Sequence, residues 1–155
     1  MEKHLESLEK ARHSLRIADH IAYVTYPLLN DKRLLLKSLD AIYKSLMHII
    51  NAILQYEYLW RRIQLYKDPR ENFETFKKKC ARRYNISDSE LNELMSILNM
   101  VENHKKASVE FLRKERVVIM SDNLKTISLD IVTMKGYVLF NKSLLEKVQF
   151  LLNRA

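Results

Sequence analysis

A chain of 155 residues, 47% of them apolar and 30% charged, has the material for one domain with a sizeable core, which excludes a disordered chain. One glycine and two prolines exclude the many tight turns of a β-sandwich or barrel and leave few, long helices as the expected fold. The net charge of +8 is unevenly placed: residues 58–84 carry nine basic and three acidic side chains, residues 113–155 eight and four, and residues 85–112 two and five.

The single cysteine, Cys80, excludes an internal disulfide framework and a CxxC metal site, and it suits a reducing cytosol. The most apolar run, Leu46–Leu54, contains His48 and Asn51 and is much shorter than the roughly 20 residues of a membrane span. The amino terminus is charged from its second residue, so no signal peptide is expected and the predicted location is cytoplasmic.

The first helix is predicted over residues 2–26. Leu8, Ala11, Leu15, Ala18 and Ala22 alternate three and four apart and make a narrow, mostly small stripe. Pro27 is expected to end it, because the residue before a proline is pushed away from helical angles. Asn30 or Asp31 then caps a second helix, predicted over 31–67. Leu35, Leu39, Ile42, Leu46, Ile49, Ile53, Tyr56, Trp60 and Ile63 follow an unbroken 4-3-4-3 spacing, the seam of helices packed near +20°. A second stripe (Leu36, Tyr43, Met47, Ile50, Leu54) widens the apolar surface, and a row of small residues (Ala41, Ser45, Ala52) admits another helix at close range. At 1.5 Å per residue this helix would be about 50 Å long and its basic end would project beyond its neighbours.

Asp68, Pro69 and Glu71 mark the start of a short third helix, predicted over 69–84, that buries Phe73, Phe76, Cys80 and Tyr84. Ser87 with Glu90 reads as a capping box, and Ile86 with Leu91 as a hydrophobic staple, opening a fourth helix that is expected to reach Arg116. Beyond it, the β-branched run Val117–Ile119 and the break at Ser121-Asp122-Asn123 read as either a small hairpin or an extended crossover near 117–127. The crossover is preferred because a lone two-stranded ribbon is marginal. Ser128 is expected to cap the last helix, 129–153. The prediction is an all-α antiparallel bundle of four long helices and one short one, a single domain over 1–155. The wide surface of the second helix and the small stripe of the first point to a homodimer.

For function, the strongest stretch is Trp60 to Tyr84. Arg61, Arg62, Lys67, Arg70, Lys77, Lys78, Lys79, Arg82 and Arg83 are interleaved there with aromatics, which reads either as a solvated helix face or as a patch that holds RNA, DNA or another polyanion by charge and stacking. Arg113, Lys114 and Arg116 form a second basic group, placed by the same reading at a helix terminus. The histidines do not make a metal site: His13 and His20 are two turns apart, about 10 Å, too far for one ion. His48 reads as an interior histidine, and His4 and His104 as exposed. Cys80 reads as inert packing, and one glycine leaves no phosphate-cradling loop. Neither a cofactor nor a metal is expected, and the enzyme reading is the weaker one.

The order of elements resembles the HEPN superfamily, small helical bundles in which Arg, four to six residues and then His precede the last core helix. "RKERVVIMSDN", Arg113–Asn123, occupies that place, and no His follows Arg113 or Arg116 at that spacing. The resemblance therefore implies a non-catalytic relative. As the alternative it implies a ribonuclease or nucleotide-transfer partner with Arg113 or Arg116 on the phosphate; a third reading is a protein–protein scaffold.

Overall fold

The apolar seam that follows Asp31 folds as a 27-residue helix, α3 (Arg33–Leu59), and the other elements gather around it. The structure, a computed structural model, describes residues 2–106, 109–113, 116–120 and 126–153. Before α3 come α1 (Lys3–His20), a π-helical turn (Ile21–Thr25) and α2 (Tyr26–Leu29). After it come α4 (Pro69–Thr75), a second π-helical turn (Phe76–Cys80) and α5 (Asp88–Lys106). Strands β1 (Val109–Arg113), β2 (Arg116–Met120) and β3 (Thr126–Asp130) lead into α6 (Ile131–Asn153). The fold is a helical bundle with a small sheet on one side.

Leu35, Leu39, Ile42, Leu46, Ile49 and Ile53 of α3 are all fully buried. Each contributes about 1.5–3 kcal/mol by leaving water. On one side α3 meets α1 and α6; on the other it meets α5, the second π-helical turn and β2. The small residues decide how closely α1 and α3 approach. Ala11 and Ala18 of α1 face Ser45 and Ser38 of α3, and both serines bond across to α1 carbonyls, Ser45 Oγ to Ala11 O at 2.8 Å and Ser38 Oγ to Ala18 O at 3.3 Å. The Ser45 hydroxyl also lies 3.1 Å from Asn141 Oδ1, so one buried polar layer ties α1, α3 and α6 in register. The small stripe is thus buried within one chain, whereas Leu36, Tyr43 and Met47 of the second stripe stay only partly buried.

Several boundaries differ from expectation. Pro27 does not end the first helix. The turn before it widens to π-helical geometry, which accommodates a proline that lacks an N–H and crowds the preceding carbonyls, and the helix runs on to Asn30. The second helix stops at Leu59 rather than 67, about 40 Å long. Its last turn closes with Arg61 N–H on Tyr58 O (2.9 Å) and Arg62 N–H on Glu57 O (3.0 Å), with Arg61 left-handed at φ 57°. The third helix keeps its expected start, Asp68 Oδ1 accepting from Arg70 N at 2.9 Å, and turns π-helical at Phe76. The Ser87–Glu90 box is present in both directions at 3.1 Å.

The largest correction concerns the opening of the last third. The fourth helix ends at Lys106, and the described parts of the expected crossover near 117–127 belong to β2 and β3 of a three-stranded antiparallel sheet in the order β1-β2-β3. A two-stranded ribbon would indeed be marginal. A third strand and burial of Val117, Ile119 and Leu129 in the main core make this sheet stable. The expected break at Ser121-Asp122-Asn123 lies outside the described residues. Ser128 belongs to β3, and the cap of α6 is Asp130, whose Oδ1 accepts from Thr133 N at 2.8 Å.

Candidate nucleic-acid interface

The nine cations of residues 61–83 are nearly all exposed, and the fold sorts them by their partners. The decisive residue is Glu57. The second stripe of α3 continues from Leu54 to position 57, so the helix carries this carboxylate into the interior, 0% exposed. A buried carboxylate needs partners. The left-handed turn at Arg61 brings Arg62 back to it, Nη1 to Oε2 at 2.9 Å, and the turn after Cys80 supplies Arg83 to Oε1 and the Tyr84 hydroxyl to Oε2 at 3.4 Å. Arg62 and Arg83 are therefore brought together as clamps on the interior. Burial first, and then the Glu57 charge, push the Cys80 thiol up to about 11 and raise Tyr84 as well. Cys80 is inert packing, as expected.

A second group is neutralised locally. Lys77 pairs with Glu74 at 2.7 Å and lies over the Phe73 ring at 5.3 Å. Lys78 reaches the same carboxylate at 3.9 Å, and Arg70 is 3.9 Å from Asp68. Arg70 and Lys77 also line a hollow of about 570 Å³ with Lys105 and Lys106, which the sequence did not single out.

Arg61, Lys67, Lys79 and Arg82 remain, exposed and without a carboxylate partner among the described residues. Two of them stand in the segment after α3, where aromatics are also exposed. Trp60, a member of the expected seam, is 56% exposed because α3 ends there, and Tyr58 and Tyr66 are exposed beside it. Phe73, Phe76 and Tyr84 face inward, Phe73 partly and the other two fully. The segment is held firmly. Ile63 is buried, and Asn72 grips the Tyr66 backbone from both sides, accepting its N–H at 2.7 Å and donating to its carbonyl at 2.8 Å.

Beneath this segment lies a cleft of about 800 Å³ between the start of α1 and the end of α3, lined by Lys3, His4, Tyr58, Leu59, Arg61, Ile63 and Leu65 among others. His4 is buried, contrary to expectation. Its ring meets Tyr56 edge-on at 5.1 Å, and Tyr56 meets Trp60 likewise at 6.3 Å, so the three rings form the wall that positions Trp60. The cleft thus combines the apolar side chains Leu59, Ile63 and Leu65, the exposed Tyr58 ring, the cations Lys3 and Arg61 and the Glu2 carboxylate, while Trp60 lines a neighbouring hollow of about 270 Å³ with His4 and Tyr56. Comparison with protein-family models, curated proteins and solved structures finds no match.

The second basic group is placed differently from the sequence reading. Arg113 and Arg116 are cross-strand partners in β1 and β2, not the end of a helix, because the β-branched residues after them draw the segment into the sheet. Arg116 is exposed and stands in register with Asp130 of β3. Lys114 and the Arg113 side chain lie outside the described residues. His104 bonds Glu110 of β1 and is half-buried. His48 is also half-buried, its pKa lowered first by burial and then by Lys10 and Lys44. Among the described residues no three His, Cys, Asp or Glu side chains converge as metal ligands, and no helix is long and apolar enough to cross a membrane.

Proposed function

We propose that the chain is a non-enzymatic binding module that takes single-stranded nucleic acid across the segment after α3 and the cleft beneath it. What supports the reading is one observation: Tyr58, Trp60 and Tyr66 are exposed alongside Arg61 and Lys67, which have no carboxylate partner among the described residues. Exposed rings stack on bases whatever their identity, at about 1–3 kcal/mol per base, and free cations bind the phosphates between them. A second argument is backbone strain. An arginine with φ 57° occupies a position that favours glycine, a cost kept where the side chain is needed. Duplex is the poorer ligand, because its bases are already stacked.

The test is fluorescence anisotropy of labelled single-stranded RNA and DNA against wild type, Arg61→Glu/Lys67→Glu and Lys77→Glu/Lys78→Glu. Binding should fall linearly with the logarithm of salt, with a slope of about 2–3 for three or four phosphates contacted. The first double variant should abolish it, and the second should weaken it several-fold. Equal binding by all three proteins would remove the reading. Metal-independent cleavage of the RNA, lost in Arg116→Ala, would replace it with the ribonuclease reading; neither binding nor cleavage would leave the protein scaffold.

A further inference from the structure

The inner face of α6 is buried through Met134, Val138, Asn141, Leu145, Val148 and Leu152, and its outer face carries a second regular stripe. Val132, Gly136, Leu139, Ser143, Glu146 and Phe150 follow a 4-3-4-3-4 spacing and are all exposed, Val132 by 76%, Leu139 by 57% and Phe150 by 61%. A helix that needed only one buried face would carry polar residues at these positions. We propose that α6 pairs antiparallel with α6 of a second copy of this chain along this stripe.

The stripe is complementary to itself when reversed. A two-fold axis level with Asn141 sets Val132 of one copy against Phe150 of the other, Gly136 against Glu146, and Leu139 against Ser143, each layer occurring twice. Two of the three layers place a small residue against a larger one, so side chains interdigitate. The charges match as well. Among the described residues neither Glu146 nor Lys135 makes an ion pair, and Lys135 lies over the Tyr23 ring at 5.0 Å. In this register Glu146 crosses Gly136 of the other copy and reaches its Lys135. Lys142, on the same edge, is held by Asp19 at 2.8 Å and so does not oppose its counterpart.

Gly136 is the independent observation. It is the only glycine in the chain, and it stands in the interior of a helix, where glycine lowers stability relative to alanine. Its φ is not positive, and nothing lies within 4 Å of where a Cβ would stand. One chain alone gives it neither a conformational nor a steric reason. A second helix crossing closely there does. The stripe spans about 27 Å and a single helix pair makes a small interface, so the dimer is a weak one in rapid exchange.

Sedimentation velocity over micromolar to sub-millimolar concentrations, with circular dichroism on the same samples, tests this. The wild-type mass should climb from 18.5 kDa towards twice that value. Gly136→Leu should keep or raise helicity and thermal stability in dilute solution yet weaken association by more than about tenfold, because it fills the crossing point. Glu146→Lys and Lys135→Glu should each weaken association, and the double exchange should restore it. A wild type that stays monomeric throughout overturns the proposal. So does Gly136→Leu associating as the wild type does, or a double exchange that restores nothing.

Discussion

Arg61 and Arg62 are neighbours in the chain and belong to different parts of the molecule. Arg62 bonds a carboxylate that is wholly inside, and its environment is set by Arg83, Tyr84 and Cys80. Arg61 holds a left-handed backbone on the surface, beside exposed Trp60, and makes no ion pair with a carboxylate among the described residues. Equal charge density in sequence therefore hides two roles, and the difference is made by one acidic residue, Glu57, a turn earlier in α3. Where a carboxylate occupies an apolar stripe, nearby cations are drawn in to neutralise it. The cations left over, Arg61, Lys67, Lys79 and Arg82, stay exposed on the surface.

The inner region can be broken from either side, and the two ways should differ in size. Arg62→Ala/Arg83→Ala leaves Glu57 buried without a cation, which should lower stability by about 3 kcal/mol in urea denaturation, the low end for a broken buried pair because both guanidiniums are about half exposed. Glu57→Gln leaves two arginines that can turn to water and an amide that still accepts from Tyr84, so the loss should be about 1–2 kcal/mol. If the carboxylate variant proved the more damaging, the cluster would not be the buried-charge device described.

The Cys80 thiol reports the same region. It should react slowly with alkylating reagents in the native protein and quickly once the protein is unfolded. Its ordinary pKa of 9.0 applies to the unfolded chain, and the fold raises it to about 11. Between those values the unfolded chain has released a proton that the folded chain keeps, so stability should fall as pH rises through that window. Cys80→Ala should flatten part of that slope, measured by thermal unfolding across the range. The smallest effect belongs to the outer region. Arg61→Gly should leave stability unchanged or raise it by about 0.5 kcal/mol, because glycine accepts the left-handed turn, while nucleic-acid binding drops several-fold. A clear loss of stability would show that Arg61 is held there for the fold.

Much of the frame was legible from spacing alone. The seam from Leu35 to Ile53 is periodic enough to name its own core, and Asp68 and the Ser87–Glu90 box mark helix starts because capping is local chemistry. The misses are equally physical. Val109 and Leu112 fit the helical spacing of Leu98 and Val101, so nothing local announced β1; it exists because β2 gives its backbone a partner. The end of α3 was hidden because an arginine stands where a glycine would have signalled the turn. Glu57 did leave a sign, a charge continuing the stripe of Met47, Ile50 and Leu54, and reading it would have separated Arg62 and Arg83 from the binding candidates. His4 left none, since its burial depends on Tyr56 from another helix.

Trp60 is the only tryptophan, so its emission reports the outer region without a label. Titrating single-stranded oligonucleotide at low salt should quench that emission in a saturable way, and added salt should restore it. Emission that stays constant while an independent probe shows the oligonucleotide bound would contradict the claim that this ring and its neighbouring cations form the binding surface.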